Sequence, residues 1–110
     1  MIQGIERVDE ILSNKEKFLE NVWSAEFNFR KIVDDSGYVN LIEFPIYVAN
    51  DEGEREHFYD IYKTRGYDNF EIDSIKKDDS MWGKDIYCVE MHKKYDGYTL
   101  YATMVLYARK

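Results

Sequence analysis

Apolar and polar positions in the first twenty residues follow the period of a helix. The apolar side chains that share one helical face are Ile5, Val8, Ile11, Leu12 and Leu19. Ser13 and Glu16 have the spacing of a capping box, in which the Ser13 hydroxyl accepts a hydrogen bond from the amide of Glu16. The pattern therefore predicts an N-terminal helix that breaks or restarts near Ser13.

The hydrophobic period changes to two after residue 21. Ala25, Phe27 and Phe29 alternate with polar side chains, as they do in a half-buried strand. Apolar residues between positions 18 and 32 also fit a helical period. A strand over residues 22–33 is the preferred interpretation, and a helix over the same residues stays open as the alternative.

A turn signal follows this first strand. Residues 34–37 read Asp-Asp-Ser-Gly, which is typical turn chemistry, and residues 38–49 are again rich in strand-forming side chains. A hairpin with residues 34–37 as a four-residue loop places Phe29 opposite Ile42. This register gives the hairpin one nearly continuous apolar face.

A second helix and a short strand are predicted next. Apolar positions at helical spacing indicate a helix over residues 54–64, and Gly66 stands where a glycine ends a helix. Phe70 and Ile72 then alternate with acidic residues, as in a strand. The aromatic and apolar segment at residues 81–83 lies in a charged loop and is expected to be partly exposed.

The clearest local signal is Asp96-Gly97 between two strand-like runs, which predicts a two-residue hairpin turn. That turn pairs Tyr95 with Tyr98 and fixes every pair beyond them. One face is then apolar, with the pairs Met91/Ala102, Val89/Met104 and Tyr87/Leu106. The other face is mixed, with the pairs His92/Tyr101, Glu90/Thr103, Cys88/Val105 and Ile86/Tyr107.

These elements predict one compact α+β domain over residues 1–110. The element order is α-β-β-α-β-β-β, and no repeat or linker interrupts it. The simplest way to bury the apolar faces is an antiparallel sheet of about five strands with the N-terminal helix and the short second helix packed on it.

Composition narrows the class of protein. The 110 residues are 45% hydrophobic and 16% aromatic, which excludes a disordered chain, and a single cysteine excludes a disulfide scaffold. The longest uncharged stretch, residues 98–108, is far shorter than the roughly 20 residues of a membrane-spanning helix. The N-terminus has no signal-peptide pattern, so the expected location is the cytoplasm.

The charge is acidic and unevenly distributed. The 22 Asp and Glu residues exceed the 15 Lys and Arg residues, for a net charge of −7. Residues 1–55 contribute −6 of that charge, from 12 acidic and 6 basic side chains. Such an acidic surface repels phosphate backbones and disfavours direct binding to nucleic acid, but it attracts a basic protein groove.

Sequence motifs give little indication of catalysis. The chain has no glycine-rich phosphate loop, no Gly-x-Ser-x-Gly, no paired cysteines and no His-Glu-x-x-His, so no catalytic site, metal site or cofactor is expected. Cys88, Glu90 and His92 share one strand face and have the chemistry of zinc ligands or of a nucleophile and its base. Successive members are roughly 7 Å apart along a strand, which argues against convergence on one atom.

The leading hypothesis is a non-catalytic acidic protein that docks on and inhibits a larger basic partner. Toxin-immunity proteins and phage-encoded anti-defence inhibitors of nucleases or CRISPR effectors share this short, acidic, aromatic-rich composition. Acids would steer the partner, and tyrosines would anchor it. The predicted partner interface consists of Asp51, Glu52, Glu54, Glu56, Tyr59, Asp60 and Tyr62.

Two alternatives belong to other classes of function. The mixed face of the last hairpin is a candidate pocket floor for a small-molecule-binding domain or a modest enzyme, with Glu90, His92, Tyr101 and Thr103 as its residues. The second alternative is a self-assembling structural subunit, for which a homodimer is the simplest form.

Overall fold

A computed structural model describes residues 4–110, and for residues 43–47 it describes the backbone alone. The elements are α1 (Ile5–Leu12), α2 (Lys15–Asn21), β1 (Val22–Asp34), β2 (Val39–Ala49), α3 (Glu52–Thr64), β3 (Glu71–Asp78), β4 (Lys84–Tyr95) and β5 (Tyr98–Arg109). A short 3₁₀ turn, Tyr67–Asn69, lies between α3 and β3. The strands form one antiparallel sheet, so the predicted α+β class is confirmed.

The sheet order is β2-β1-β5-β4-β3, so the first and last strands are neighbours at its centre. One face carries the core, where Phe27, Val89 and Met104 pack with buried side chains of the helices. Phe18 of α2 stacks on Phe58 of α3 with ring centroids 5.8 Å apart, which joins two helices above the sheet. The opposite side of the sheet, called here the open face, carries the mixed side of the last hairpin.

The N-terminal helix does break near Ser13, but Ser13 does not cap the second segment. Asn14 is the N-cap of α2, and its side-chain oxygen accepts from the amide of Lys17 at 2.8 Å. Ser13 still has helical backbone angles, and its hydroxyl donates to the carbonyl of Glu10 at 2.7 Å. An N-cap needs a non-helical backbone, which Asn14 has and Ser13 lacks. The structure therefore has two N-terminal helices where one interrupted helix was predicted.

Residues 22–33 form a strand, so the helical alternative is wrong. The predicted register of the first hairpin is also wrong, because Phe29 lies opposite Phe44 and not opposite Ile42. The amide of Asp34 donates to the carbonyl of Tyr38, so the loop has three residues, with Gly37 in the left-handed region at φ 90°. Two register irregularities, at each of which β2 has one more residue than β1, then move the pairing further.

The last hairpin has the predicted register throughout. Tyr95 lies opposite Tyr98, Met91 opposite Ala102, and Glu90 opposite Thr103. The α3 helix ends as predicted, because Gly66 follows its last turn with φ 72°. Among the described helices, none is long and apolar enough to cross a membrane.

Candidate functional site

The acidic residues predicted to steer a partner lie at the start of α3, and two of them also cap that helix. Asp51 is the N-cap, and its carboxylate accepts from the amide of Glu54 at 2.7 Å. The Glu54 carboxylate in turn accepts from the amide of Asp51 at 3.3 Å, which completes a capping box that the sequence analysis missed. Both side chains stay exposed, as does that of Glu52.

Two further acids of the predicted interface bind a lysine of the neighbouring helix. The Lys15 ammonium lies 2.7 Å from Asp60 and 3.6 Å from Glu56. The hydrogen bond to Asp60 raises the pKa of Lys15, and the charge of Glu56 acts in the same direction. These pairs join α2 to α3, so Asp60 and Glu56 contribute less net charge to the surface than Glu52 does.

The structure corrects the role predicted for Tyr59 and Tyr62. Both are core residues, with 5% and 8% of their surface exposed, because they fall on the helix face that packs inward with Phe58. The Tyr59 hydroxyl donates to the backbone carbonyl of Leu12 at 3.0 Å. Burial raises the pKa of the Tyr62 hydroxyl far above its usual range. Neither ring is available to anchor a partner on the folded chain.

A different aromatic side chain is exposed. Trp82, in the loop that joins β3 to β4, has 95% of its surface accessible, and its neighbour Met81 is also exposed. The sequence analysis expected this loop to be partly exposed but did not assign it to the interface. The signal was an apolar dipeptide inside a charged loop, bounded by Asp78 and Gly83.

The Trp82 loop and the start of α3 lie at the same end of the sheet. Because neighbouring strands are antiparallel, the end of β3, the start of β4 and the end of β2 all lie at the same end of the sheet. Helix α3 begins three residues after the end of β2. The strands β2 and β3 are the two outer strands, separated by four strand spacings, or roughly 19 Å. The acidic start of α3 and the exposed Trp82 therefore lie at one end of the sheet, together with the basic residues Lys84 and Arg109.

The open face contains a cavity of about 450 Å³. Three of the four residues predicted for the alternative pocket line it, namely Glu90, Tyr101 and Thr103. His92 lies beside the cavity, with its ring centroid 5.7 Å from that of Tyr101. The lining also includes Arg30 and Lys31 of β1, Asp73 of β3 and Cys88 of β4, none of which was assigned to a pocket from sequence.

Two register irregularities supply the charges of this cavity. The pairing of β1 with β5 shifts between Phe29 and Lys31, so Arg30 is an extra residue and both basic side chains reach the open face. The pairing of β3 with β4 shifts between Ile72 and Ser74 and makes Asp73 the extra residue on the opposite side. Sequence periodicity could not locate these shifts, because they depend on which strands become neighbours.

The side chains of Cys88, Glu90 and His92 do not converge on one point. His92 faces two carboxylates of β3, with Nδ1 2.7 Å from Asp73 and Nε2 3.2 Å from Glu71. Glu90 accepts from the hydroxyl of Ser74 at 3.2 Å. Within the described part of the chain, no group of three or more His, Cys, Asp or Glu side chains is arranged to hold a metal ion.

Cys88 is a poor nucleophile near neutral pH. Partial burial and then the negative charge of Glu90 raise the pKa of its thiol, against smaller opposing effects of Lys76 and Arg30. Because the thiolate is the reactive form, a raised pKa lowers the reactive fraction. The cavity thus combines charged and aromatic groups for binding with a thiol that is protonated at neutral pH.

Comparisons with protein-family models, with curated proteins and with solved structures found no match to this chain. Two surfaces of the described chain are candidates for binding, namely the start of α3 with the Trp82 loop and the charged cavity of the open face.

Proposed function

We propose that this chain is a non-catalytic binding protein that docks on a larger basic protein in the cytoplasm and inhibits it. Proteins that handle nucleic acid, such as nucleases, toxins and CRISPR-type defence effectors, have basic grooves of the required kind. The single observation that supports this proposal most is the exposed Trp82 at the same end of the sheet as the acidic start of α3.

Trp82 supplies the anchor. Tryptophan is among the side chains most enriched at the energetic centres of protein interfaces, since it buries a large area with few rotatable bonds. An exposed Trp beside an exposed Met is costly to hydrate. A partner with an apolar pocket removes that cost on binding.

The helices supply the charge that steers association. In α1, α2 and α3 together, nine acidic residues stand against five basic ones. Electrostatic attraction between such a surface and a basic groove raises the association rate and makes it sensitive to salt. Glu52 is exposed in the first turn of α3 and lies at the end of the sheet that carries Trp82.

The dimensions suit one interface. A protein interface of standard size covers about 800 Å² of each partner, a patch roughly 30 Å across. The outer strands that carry the acidic and aromatic groups are separated by roughly 19 Å, so a single partner can contact both. The same acidic surface repels nucleic acid, which is the ligand that such a partner would otherwise hold.

The test is capture of partners from a nuclease-treated lysate with tagged wild-type chain and two variants. Trp82→Ala removes the anchor. Glu52→Lys with Glu56→Lys reverses the charge at the N-terminal end of α3. The expected result is one near-stoichiometric basic partner that is released by high salt, captured at least tenfold less by each variant, and inhibited by the wild-type chain.

The matched control is Asp35→Lys with Asp96→Lys, which makes the same change in net charge at exposed hairpin turns of the opposite end of the sheet. This control should capture the partner as the wild type does, after both variants have shown wild-type circular dichroism. Equal loss of capture in the control and in the test variant would show that the overall net charge, and not the charge at the start of α3, causes the loss. Capture that is unaffected by Trp82→Ala and by the reversal at α3 would overturn the proposal.

A further inference from the structure

The cavity of the open face has opposite charges on its two sides. Arg30 and Lys31 of β1 line one side, while Asp73 of β3 and Glu90 of β4 line the other. The formal charges of these four side chains sum to zero, although the chain as a whole carries a charge of −7. The separation of sign follows from the sheet order, in which β5 lies between β1 and β4.

The distance between the two sides is set by strand spacing. Strands β1 and β4 are two spacings apart and β1 and β3 are three apart, which gives roughly 10–14 Å between backbones. Side chains stand roughly perpendicular to a sheet, so this spacing is an upper limit for the gap between the charged ends, which Lys31 shortens by leaning over Tyr101 of β5. A ligand that contacts both sides must span this gap.

The floor between the two sides is both aromatic and polar. Tyr101 of β5 lies beneath the Lys31 ammonium, which is 4.9 Å from its ring centroid. Thr103 of the same strand and Cys88 of β4 also line the cavity. Such a surface accepts an aliphatic chain against the ring and offers a hydroxyl for a hydrogen bond.

We propose that this cavity binds a small linear zwitterion, such as an ω-amino acid or a dipeptide. The ligand's carboxylate binds Arg30 and Lys31, and its ammonium group binds Asp73 and Glu90. A simple anion or a simple cation satisfies one side only and leaves the other without a ligand partner. The zwitterion satisfies both sides at once.

Existing contacts hold the two carboxylates in position. Asp73 accepts from Nδ1 of His92 at 2.7 Å, while Glu90 accepts from Ser74 at 3.2 Å and pairs with the exposed Lys76 ammonium at 3.6 Å. A carboxylate has about four lone-pair sites, so each retains acceptors for an ammonium group. Positioning of this kind lowers the ordering cost that a ligand must overcome.

The probe is 5-aminopentanoate, whose charged ends are roughly 7 Å apart when extended. A hydrogen bond of roughly 2.9 Å at each end brings the reach to about 13 Å, within the range set by the strands. Pentanoate and pentylamine have the same chain length and carry one of the two charges each. Binding of the three probes is measured by titrating ¹⁵N-labelled protein and following amide shifts.

The expected result is a saturable shift at Lys31, Glu90 and Tyr101 with 5-aminopentanoate, with an affinity at least tenfold above that of either single-charge probe. Arg30→Gln with Lys31→Gln should abolish the advantage over pentylamine. Asp73→Asn with Glu90→Gln should abolish the advantage over pentanoate. The control, Lys17→Gln with Glu20→Gln, changes one charge of each sign in α2, outside the cavity lining, and should bind as the wild type does.

Equal affinities for the three probes, or no saturable shift at roughly tens of millimolar probe, would overturn the inference. Shifts that persist in both double variants would do the same, since the charged groups would then not carry the binding. This inference is independent of the docking proposal, because the cavity lies on the open face and its variants leave Trp82 and the start of α3 unchanged. Either proposal can therefore fail while the other stands.

Discussion

The hydroxyl of Tyr59, in α3, donates a hydrogen bond to the backbone carbonyl of Leu12, the last residue of α1, at 3.0 Å. The last carbonyls of a helix have no partner within it, so they need a donor from elsewhere. Both residues are buried, with little access to water. This one contact therefore ends α1 and joins it to a helix 47 residues away along the chain.

Tyr59→Phe keeps the ring and removes this donor. We expect it to lower the free energy of unfolding by about 1–2 kcal/mol, since a buried carbonyl is left without a partner. Urea unfolding followed by circular dichroism measures the change. Tyr95→Phe, in which the hydroxyl belongs to an exposed residue, is the matched control and should change stability by less than about 0.5 kcal/mol. A loss no larger in Tyr59→Phe than in the control would contradict the capping role.

The ionisation of Tyr62 makes the free energy of unfolding depend on pH in the alkaline range. Burial, with the nearby charge of Asp68, raises the pKa of its hydroxyl in the folded state above the value of about 10 for an unfolded chain. The folded state then holds the proton more tightly, so this contribution is complete below about pH 10 and is lost as the pH rises beyond it. Unfolding free energies at pH 8 and pH 11 should differ less in Tyr62→Phe than in the wild type.

The control for this measurement is Tyr98→Phe, since Tyr98 is exposed at a hairpin turn. It should show the same fall in stability between the two pH values as the wild type does. An identical fall in all three proteins would mean that the pKa of Tyr62 is not raised in the folded state relative to the unfolded state.

Cys88 should react slowly with alkylating reagents at neutral pH. Partial burial and the charge of Glu90 raise its pKa, so the thiolate fraction at pH 7.5 is below that of an ordinary cysteine. We expect iodoacetamide to modify native Cys88 several-fold more slowly than glutathione at that pH, with the rate rising beyond pH 9. Mass spectrometry of quenched samples gives the rates.

Two variants distinguish the effect of neighbouring charges on the Cys88 pKa from the effect of limited access of the reagent to the thiol. Glu90→Gln removes the charge that raises the pKa and should speed alkylation at pH 7.5, whereas Lys76→Met removes an opposing charge and should slow it. A rate that is unchanged by both variants, with the same pH profile, would assign the slow reaction to steric access alone.

The last hairpin and the first show how far local sequence determines this fold. Asp96-Gly97 permits one tight turn, and every pair beyond it follows at a fixed spacing, so the register of β4 and β5 was predictable. The first turn admits two loop lengths. A left-handed Gly37 and the bond between Asp34 and Tyr38 select the three-residue loop, and extra residues in β2 shift the remaining pairs.

The same distinction between local sequence and tertiary packing applies to the residues of the candidate sites. The charge of the helices, the mixed face of the last hairpin and the exposed loop around Trp82 follow from residue type and period. Which tyrosines are buried does not, because Tyr59 and Tyr62 are polar enough for a surface and large enough for a core, and the packing of α1 and α2 against α3 decides between them.

The sequence by itself determined the type of most elements, the C-terminal ends of α3 and β4, and the acidic balance of the chain, because these depend on neighbours within a few residues. The tertiary structure decided that β1 pairs with β5, which places Arg30 and Lys31 across the sheet from Asp73 and Glu90. It also brought the Trp82 loop to the same end as the start of α3. Both relationships join segments 30 to 60 residues apart in the chain, and only the burial of a shared core selects such pairings.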